Sequence, residues 1–138
     1  MIKTWKDQAR LEGILTVLGG GMRLANLANR SFREKAAERH GIAEIRTEDR
    51  CVSRRFAVSH GALSSCRGSD PGPDFAIVYR DAATAVRIML QGSQAAAMQA
   101  ITEGKMRVEG DLEFGMWFTE LLQATGDLMK KPREMFRG

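Results

Sequence analysis

The chain has two cysteines, two histidines and three prolines in 138 residues, and no uncharged apolar run long enough to cross a bilayer. Each scarcity removes a class of protein. Cys51 and Cys66 cannot build a disulfide framework, and both fall in expected strands around a turn at His60-Gly61 that would not set them opposite each other. Free thiols and a reducing cytosol are therefore the expectation. The apolar stretch 13–22 is short of the roughly 18 residues of a membrane span. Mixed charges (Lys3, Lys6, Asp7, Arg10, Glu12) precede it and Gly19-Gly20-Gly21 interrupts it, which is not the layout of a secretory signal. His40 and His60 lack a Cys or carboxylate at metal-ligand spacing, so no metal and no cofactor is expected.

What is present is ordinary for a folded domain: 43% hydrophobic and 28% charged residues, in a length that buries one core. The net charge of +4 is concentrated early, with 12 Lys and Arg against 7 Asp and Glu in residues 1–60, and 9 against 10 thereafter. That bias fits transient contact with an acidic membrane surface better than a nucleic-acid site, for which the sheet lacks an exposed aromatic pair.

Apolar residues at helical spacing predict a helix over 5–18 (Trp5, Ala9, Leu11, Ile14, Leu15, Leu18), with the three glycines as a hinge or turn. A second helix follows over 22–39, with Leu24, Leu27 and Ala28 inward and Gly41 as its stop. From Ile42 the period falls to two. Val52, Phe56 and Val58 share one face of a strand, Arg54 interrupts that face as an edge or bulge position, and His60-Gly61 turns into a returning strand over 62–67. Residues 68–74 hold two prolines and form a surface loop. Residues 75–79 are apolar on both faces, as in a central strand. Asp81 caps a helix ended by Gly92, and Ser93 caps another, carrying Ala97, Met98 and Ile101 inward, that stops at Gly104. Residues 104–111 compress a helix stop, a short strand and a new cap, Asp111, into eight positions. The last helix, 111–125, ends near Gly126. The order predicts an α+β fold: a mainly antiparallel five-stranded sheet covered by helices.

Catalytic patterns are missing. Gly104-Lys105 is not a phosphate loop, because Gln99 stands where the first glycine should be and Met106 replaces the magnesium-binding Ser or Thr. Gly19-Gly20-Gly21 follows a helix pattern and not a strand, unlike a dinucleotide-binding turn. Asp111 and Glu113, two apart, point to different helix faces and do not pair for acid and base work. Soft apolar bulk takes their place: six of the eight methionines lie in the second half, beside Phe114, Trp117, Phe118 and Phe136. Methionine suits surfaces that accept variable apolar shapes. In helix 111–125, Leu112, Phe114, Met116, Trp117, Phe118, Leu121 and Leu122 cover more than one stripe, so a ligand or a partner subunit takes the surplus.

Residues 103–111, Glu-Gly-Lys-Met-Arg-Val-Glu-Gly-Asp, resemble the G-K-hydrophobic-x-hydrophobic-x-G-D signature of the sterol carrier protein type two domain. The resemblance extends from about residue 42 to 122 and includes the strand 75–79 and the strand pair around His60-Gly61. Residues 1–40 match it poorly. They form an N-terminal helical segment packed on or flanking a single lipid-binding unit, 41–138. The resemblance implies an apolar tunnel that holds a fatty acyl, isoprenoid or sterol-like chain without covalent chemistry, hence no enzyme. By analogy and apolar phase, the tunnel is lined by Phe56, Ile77, Met89, Met98, Ile101, Met106, Val108, Phe114, Trp117, Phe118 and Leu121, with Gly104 and Gly110 architectural. The chain's ending, Phe136-Arg137-Gly138, is not a peroxisomal signal, so a cytoplasmic place is expected. The alternative is an interaction module that uses the apolar face of helix 111–125 for homodimerisation or docking to a partner enzyme.

Overall fold

Five short strands alternate with, or are followed by, helices: β1 (Gly41–Thr47), β2 (Ser53–Ser59), β3 (Ala62–Arg67), β4 (Phe75–Tyr79) and β5 (Met106–Gly110). In the computed structural model, which describes residues 2–68 and 72–136, they form one sheet in the order β3-β2-β1-β4-β5. Three of its four pairings are antiparallel, and β1 with β4 is parallel. The helices are α1 (Ile2–Ala28), α2 (Arg30–Ala36), α3 (Ala82–Gln91), α4 (Gln94–Thr102), α5 (Leu112–Lys130) and α6 (Pro132–Met135). This is the expected α+β class with a mainly antiparallel sheet. Of the loop expected over 68–74, residues 69–71 lie outside the described residues.

The local signals act as read where one side chain closes one turn. Asp81, Ser93 and Asp111 cap α3, α4 and α5, accepting from Thr84 N (2.8 Å), Ala96 N (3.0 Å), and both Glu113 N and Phe114 N (3.0 and 3.2 Å). Between β2 and β3, His60 and Gly61 take φ of 51° and 80°, the paired positive values that a two-residue hairpin turn demands. Residues 104–111 are welded to both ends of β4. Lys105 O accepts from Arg80 N (2.9 Å), Asp111 N donates to Asp74 O (2.8 Å), and a Cβ at Gly110 would overlap the Asp74 carbonyl.

Five expectations are corrected. Gly19-Gly20-Gly21 is no hinge, since α1 runs through it unbroken. A glycine inside a helix costs about 1 kcal/mol relative to alanine, and here tertiary packing offsets it. A Cβ at Gly19 would strike the Ser65 hydroxyl on β3, and one at Gly21 would lie 2.7 Å from Met129 Sδ on α5. The helix expected over 22–39 breaks at Asn29, whose side chain accepts from Phe32 N (2.9 Å) and donates to Glu134 O (2.8 Å). The buried face of α1 is Leu11, Leu15, Met22 and Ala25, while Trp5, Leu24 and Leu27 are exposed. Arg54 sits at no bulge or edge: β2 is paired on both sides in unbroken register. From the inner face its Nε donates to Ser65 Oγ at 2.7 Å, between β3 and α1. Finally, α5 continues past Gly126 to Lys130, and α6 turns Met135 back into the core.

The helices cover one face of the sheet, and one continuous apolar cluster runs from α1 through the inner strand positions to α5 and Met135. All five residues of β4 are buried, although β1 and not β4 is the middle strand. The outer face sets Ala76 and Val78 of β4 beside a polar network. Glu44, fully buried, accepts from Ser53 Oγ (3.1 Å) and pairs with Arg46 Nε (3.4 Å), and Arg46 also reaches Glu109 (3.1 Å).

Candidate functional site

Three helices fail to close over the inner face of the sheet and leave a cleft of about 780 Å³. One wall is α1, presenting Gly13, Ile14, Val17 and Leu18. Opposite it, α3 contributes Val86, Met89 and Leu90, and α5 contributes Thr119, Leu122, Gly126 and Met129. Tyr79, the last residue of β4, is the contribution of the sheet. Packing explains where the space opens. At Gly21 the backbone of α1 meets side chains of α5, with Met129 and Thr125 pressed against the glycine. About two turns earlier, at Gly13, no atom lies within 4 Å of where a Cβ would stand, and the same is true of Gly126 on α5. Two glycines in opposite walls therefore hold volume that side chains would fill.

The cleft is apolar within and polar at its rim. Ile14, Leu18, Met89 and Leu122 are half-buried, whereas Val17 and Leu90 stand exposed at 58% and 73%. Arg10, Gln91, Gln123, Asp127 and Lys130 complete the border. Neither Arg10 nor Lys130 is ion-paired among the described residues. Burial pushes the Tyr79 phenol up to about 12, so it is neutral in ordinary buffers.

Of the residues expected to line a tunnel, Met89 lines this cleft. Phe56, Ile77, Met106, Phe114, Trp117, Phe118 and Leu121 are buried in the solid core. Phe56 packs on Phe118 with ring centroids 5.4 Å apart, Phe114 packs on Trp117 at 5.2 Å, and Trp117 Nε1 donates to Lys35 O at 2.9 Å, tying α5 to α2. Met98, Ile101 and Val108, expected inward, are exposed at 63%, 40% and 38%. The reason is position. β5 is the sheet edge, and α4, which touches α3 and β5, buries little more than Ala100. The surplus apolar surface of α5 divides three ways: Trp117 and its neighbours enter the core, Leu122 enters the cleft, and Leu112 and Met116 stay in solvent. Sequence reasoning missed Tyr79 and the wall given by α1. The available signal was a pair of glycines, Gly13 and Gly126, on otherwise apolar helix faces.

Among the described residues, the lining of the cleft holds no His, Cys or Ser. His40 and His60 stack at 6.2 Å, both exposed, at the sheet end where α2 gives way to β1. Among the described residues, no group of three or more His, Cys, Asp or Glu is placed to hold a metal, and no helix is long and apolar enough to cross a membrane. Cys51 and Cys66 are free and exposed, and Cys51 lies in the turn before β2 and not in a strand.

No family model matches the sequence, and no curated protein matches it. Solved structures do match. A ubiquinone synthesis protein, UbiJ-SCP2, superposes with a TM-score of 0.56 at 14% identity, covering 85% of this chain and 96% of that one. The sterol carrier protein domain 2 of Helicoverpa armigera gives 0.56 at 14% identity over 82% and 85%. A crystal structure of sterol carrier protein 2 gives 0.54 at 15% identity over 83% and 95%. Likeness at such identity speaks to architecture, and the architecture of this chain is that of the sterol carrier protein 2 fold.

Proposed function

We propose that the chain is a non-enzymatic, cytosolic lipid carrier that holds an acyl, isoprenoid or sterol-like chain in the cleft between α1, α3 and α5, and releases or presents it. The observation that carries this reading is the cleft itself. Its volume, about 780 Å³, falls within the roughly 300–1,000 Å³ of small-molecule sites, and its inner walls offer aliphatic and methionine side chains with no catalytic constellation. The fold it shares with sterol carrier protein 2 domains supports the same reading.

The energetics permit a carrier. Burying about twelve methylenes at about 0.8 kcal/mol each returns about 10 kcal/mol, from which association and ordering subtract several. Micromolar affinity follows, tight enough to hold cargo and weak enough to release it. Exposed Val17 and Leu90 beside the unpaired cations Arg10 and Lys130 suit a rim that meets acidic membrane surfaces briefly while lipid passes.

Native mass spectrometry of protein purified without detergent tests the proposal, together with fluorescence titration using the apolar dye N-phenyl-1-naphthylamine. A co-purified lipid, or micromolar dye binding reversed by added lipid, is expected. A protein that carries no lipid and leaves the dye dark is not a carrier.

A further inference from the structure

Tyr79 is the single tyrosine of the chain, and it occupies an unusual place. Along β4 the inner-face positions are Phe75, Ile77 and Tyr79, all buried, and phenylalanine at the first shows that a plain ring satisfies this face. Tyr79 is 5% exposed, yet its hydroxyl neither donates nor accepts a hydrogen bond among the described residues. Buried phenols ordinarily find a partner. Beside it on β1, Thr47 is already committed, its Oγ1 bonded to Asp49 Oδ1 at 2.7 Å. The oxygen is not sealed in the protein either. The one side-chain polar atom both sealed and unpartnered among the described residues is Asn26 Oδ1, so the Tyr79 hydroxyl keeps some contact with open space, and the open space that its residue lines is the cleft.

An unpaired donor facing an apolar cavity selects what enters. The phenol stays protonated at neutral pH and offers one O–H. The cations of the cleft, Arg10 and Lys130, belong to exposed positions on its border. A carboxylate carried inward would lose its hydration and meet a neutral donor without a cation, which is unfavourable. A ketone, quinone or alcohol oxygen loses far less and gains the hydrogen bond.

We infer that Tyr79 is a polar anchor inside the cleft, donating its hydrogen bond to a neutral oxygen at the buried end of the cargo, so that the preferred lipid is neutral and oxygenated and binds with that oxygen inward. This rests on the cleft being the lipid site. Acids bind the other way round, with the carboxylate at the rim.

The test compares the wild-type protein with Tyr79→Phe, which keeps the ring and removes the oxygen. N-Phenyl-1-naphthylamine reports occupancy, and 2-undecanone and dodecanoate serve as competitors. The readout is the ratio of affinities for 2-undecanone and dodecanoate. It should fall about fivefold in the variant, the worth of one neutral hydrogen bond. The carbonyl stretch of bound 2-undecanone should lie at lower wavenumber in the wild type than in Tyr79→Phe. An unchanged ratio with an unchanged carbonyl band overturns the anchor while leaving the lipid site standing, and so does a wild-type protein that takes dodecanoate but not 2-undecanone. A wild type that binds neither competitor nor the dye removes the lipid site, and the anchor with it.

Discussion

Filling the cleft from its own wall should separate binding from stability, and Gly126→Leu does so. Gly126 lies inside α5, lines the cleft, and has no atom within 4 Å of the position its Cβ would take. Two effects act in opposite directions on the two observables. Replacing an interior helical glycine with leucine recovers about 0.8 kcal/mol of helix propensity, which raises the melting temperature of a domain this size by roughly 3 °C. The same side chain occupies the room of about three cargo methylenes, and at about 0.8 kcal/mol each a ligand loses about 2.4 kcal/mol, or about fiftyfold in affinity. Differential scanning fluorimetry and dye titration measure both. Gly20→Leu is the matched control, because Gly20 is also helical and uncrowded but does not line the cleft. It should be stabilised alike and bind as before. A Gly126→Leu protein that melts higher yet binds the dye unchanged would refute the cleft as the lipid site. One that loses binding and melts lower would show that the leucine had disturbed the fold instead.

Trp117→Ala should destabilise by about 3–5 kcal/mol, as removal of a buried tryptophan does, while the folded fraction keeps its dye affinity, because Trp117 packs on Phe114 and bonds Lys35 O away from the cleft. Denaturant midpoints and dye titration below the transition check the two halves. With a single tyrosine, the pH-dependent rise in absorbance at 295 nm reads Tyr79 alone, above a constant tryptophan background, and should have its midpoint near 12. Since its folded value is raised, the unfolded chain gives up the proton first. The contribution to stability is whole below about pH 10 and disappears as pH rises toward about 12, a loss of roughly 3 kcal/mol. Wild type should thus fall progressively below Tyr79→Phe across that window, since the phenylalanine does not titrate, and a midpoint near 10 would mean a wet phenol. Glu44→Gln should cost about 3 kcal/mol in urea unfolding, near the low end for breaking a buried ion pair, because Arg46 loses Glu44 but keeps Glu109. A neutral outcome would show that the outer-face network contributes little.

How much was legible depends on the range of each signal. Caps at Asp81, Ser93 and Asp111, the hairpin at His60-Gly61 and the stop-strand-cap run 104–111 are set by a few neighbouring residues, and each forms as read. The glycines at 19–21 misled because a missing Cβ has two meanings. Alone it loosens a helix, but beside Ser65 and Met129 it lets the helix approach. The same ambiguity hid the cleft: Gly13 and Gly126 look like the other glycines until nothing is found across from them. Apolar phase put Phe56, Phe118 and Trp117 inward correctly but could not tell a filled interior from an empty one. It also placed Met98, Ile101 and Val108 inward with no means of knowing that β5 is an edge and α4 a thin cover.

The sequence by itself determined the fold class and the elements bounded by local turns and caps, because hydrogen-bonded turns, caps and the alternation of strand faces are decided within a few residues. Where the interior is solid and where it opens was decided only by the tertiary structure. That depends on the distance between α1 and α5, which touch at Gly21 and part at Gly13, and on what stands opposite the Tyr79 hydroxyl, residues far apart in the chain that meet only when the helices lie down on the sheet.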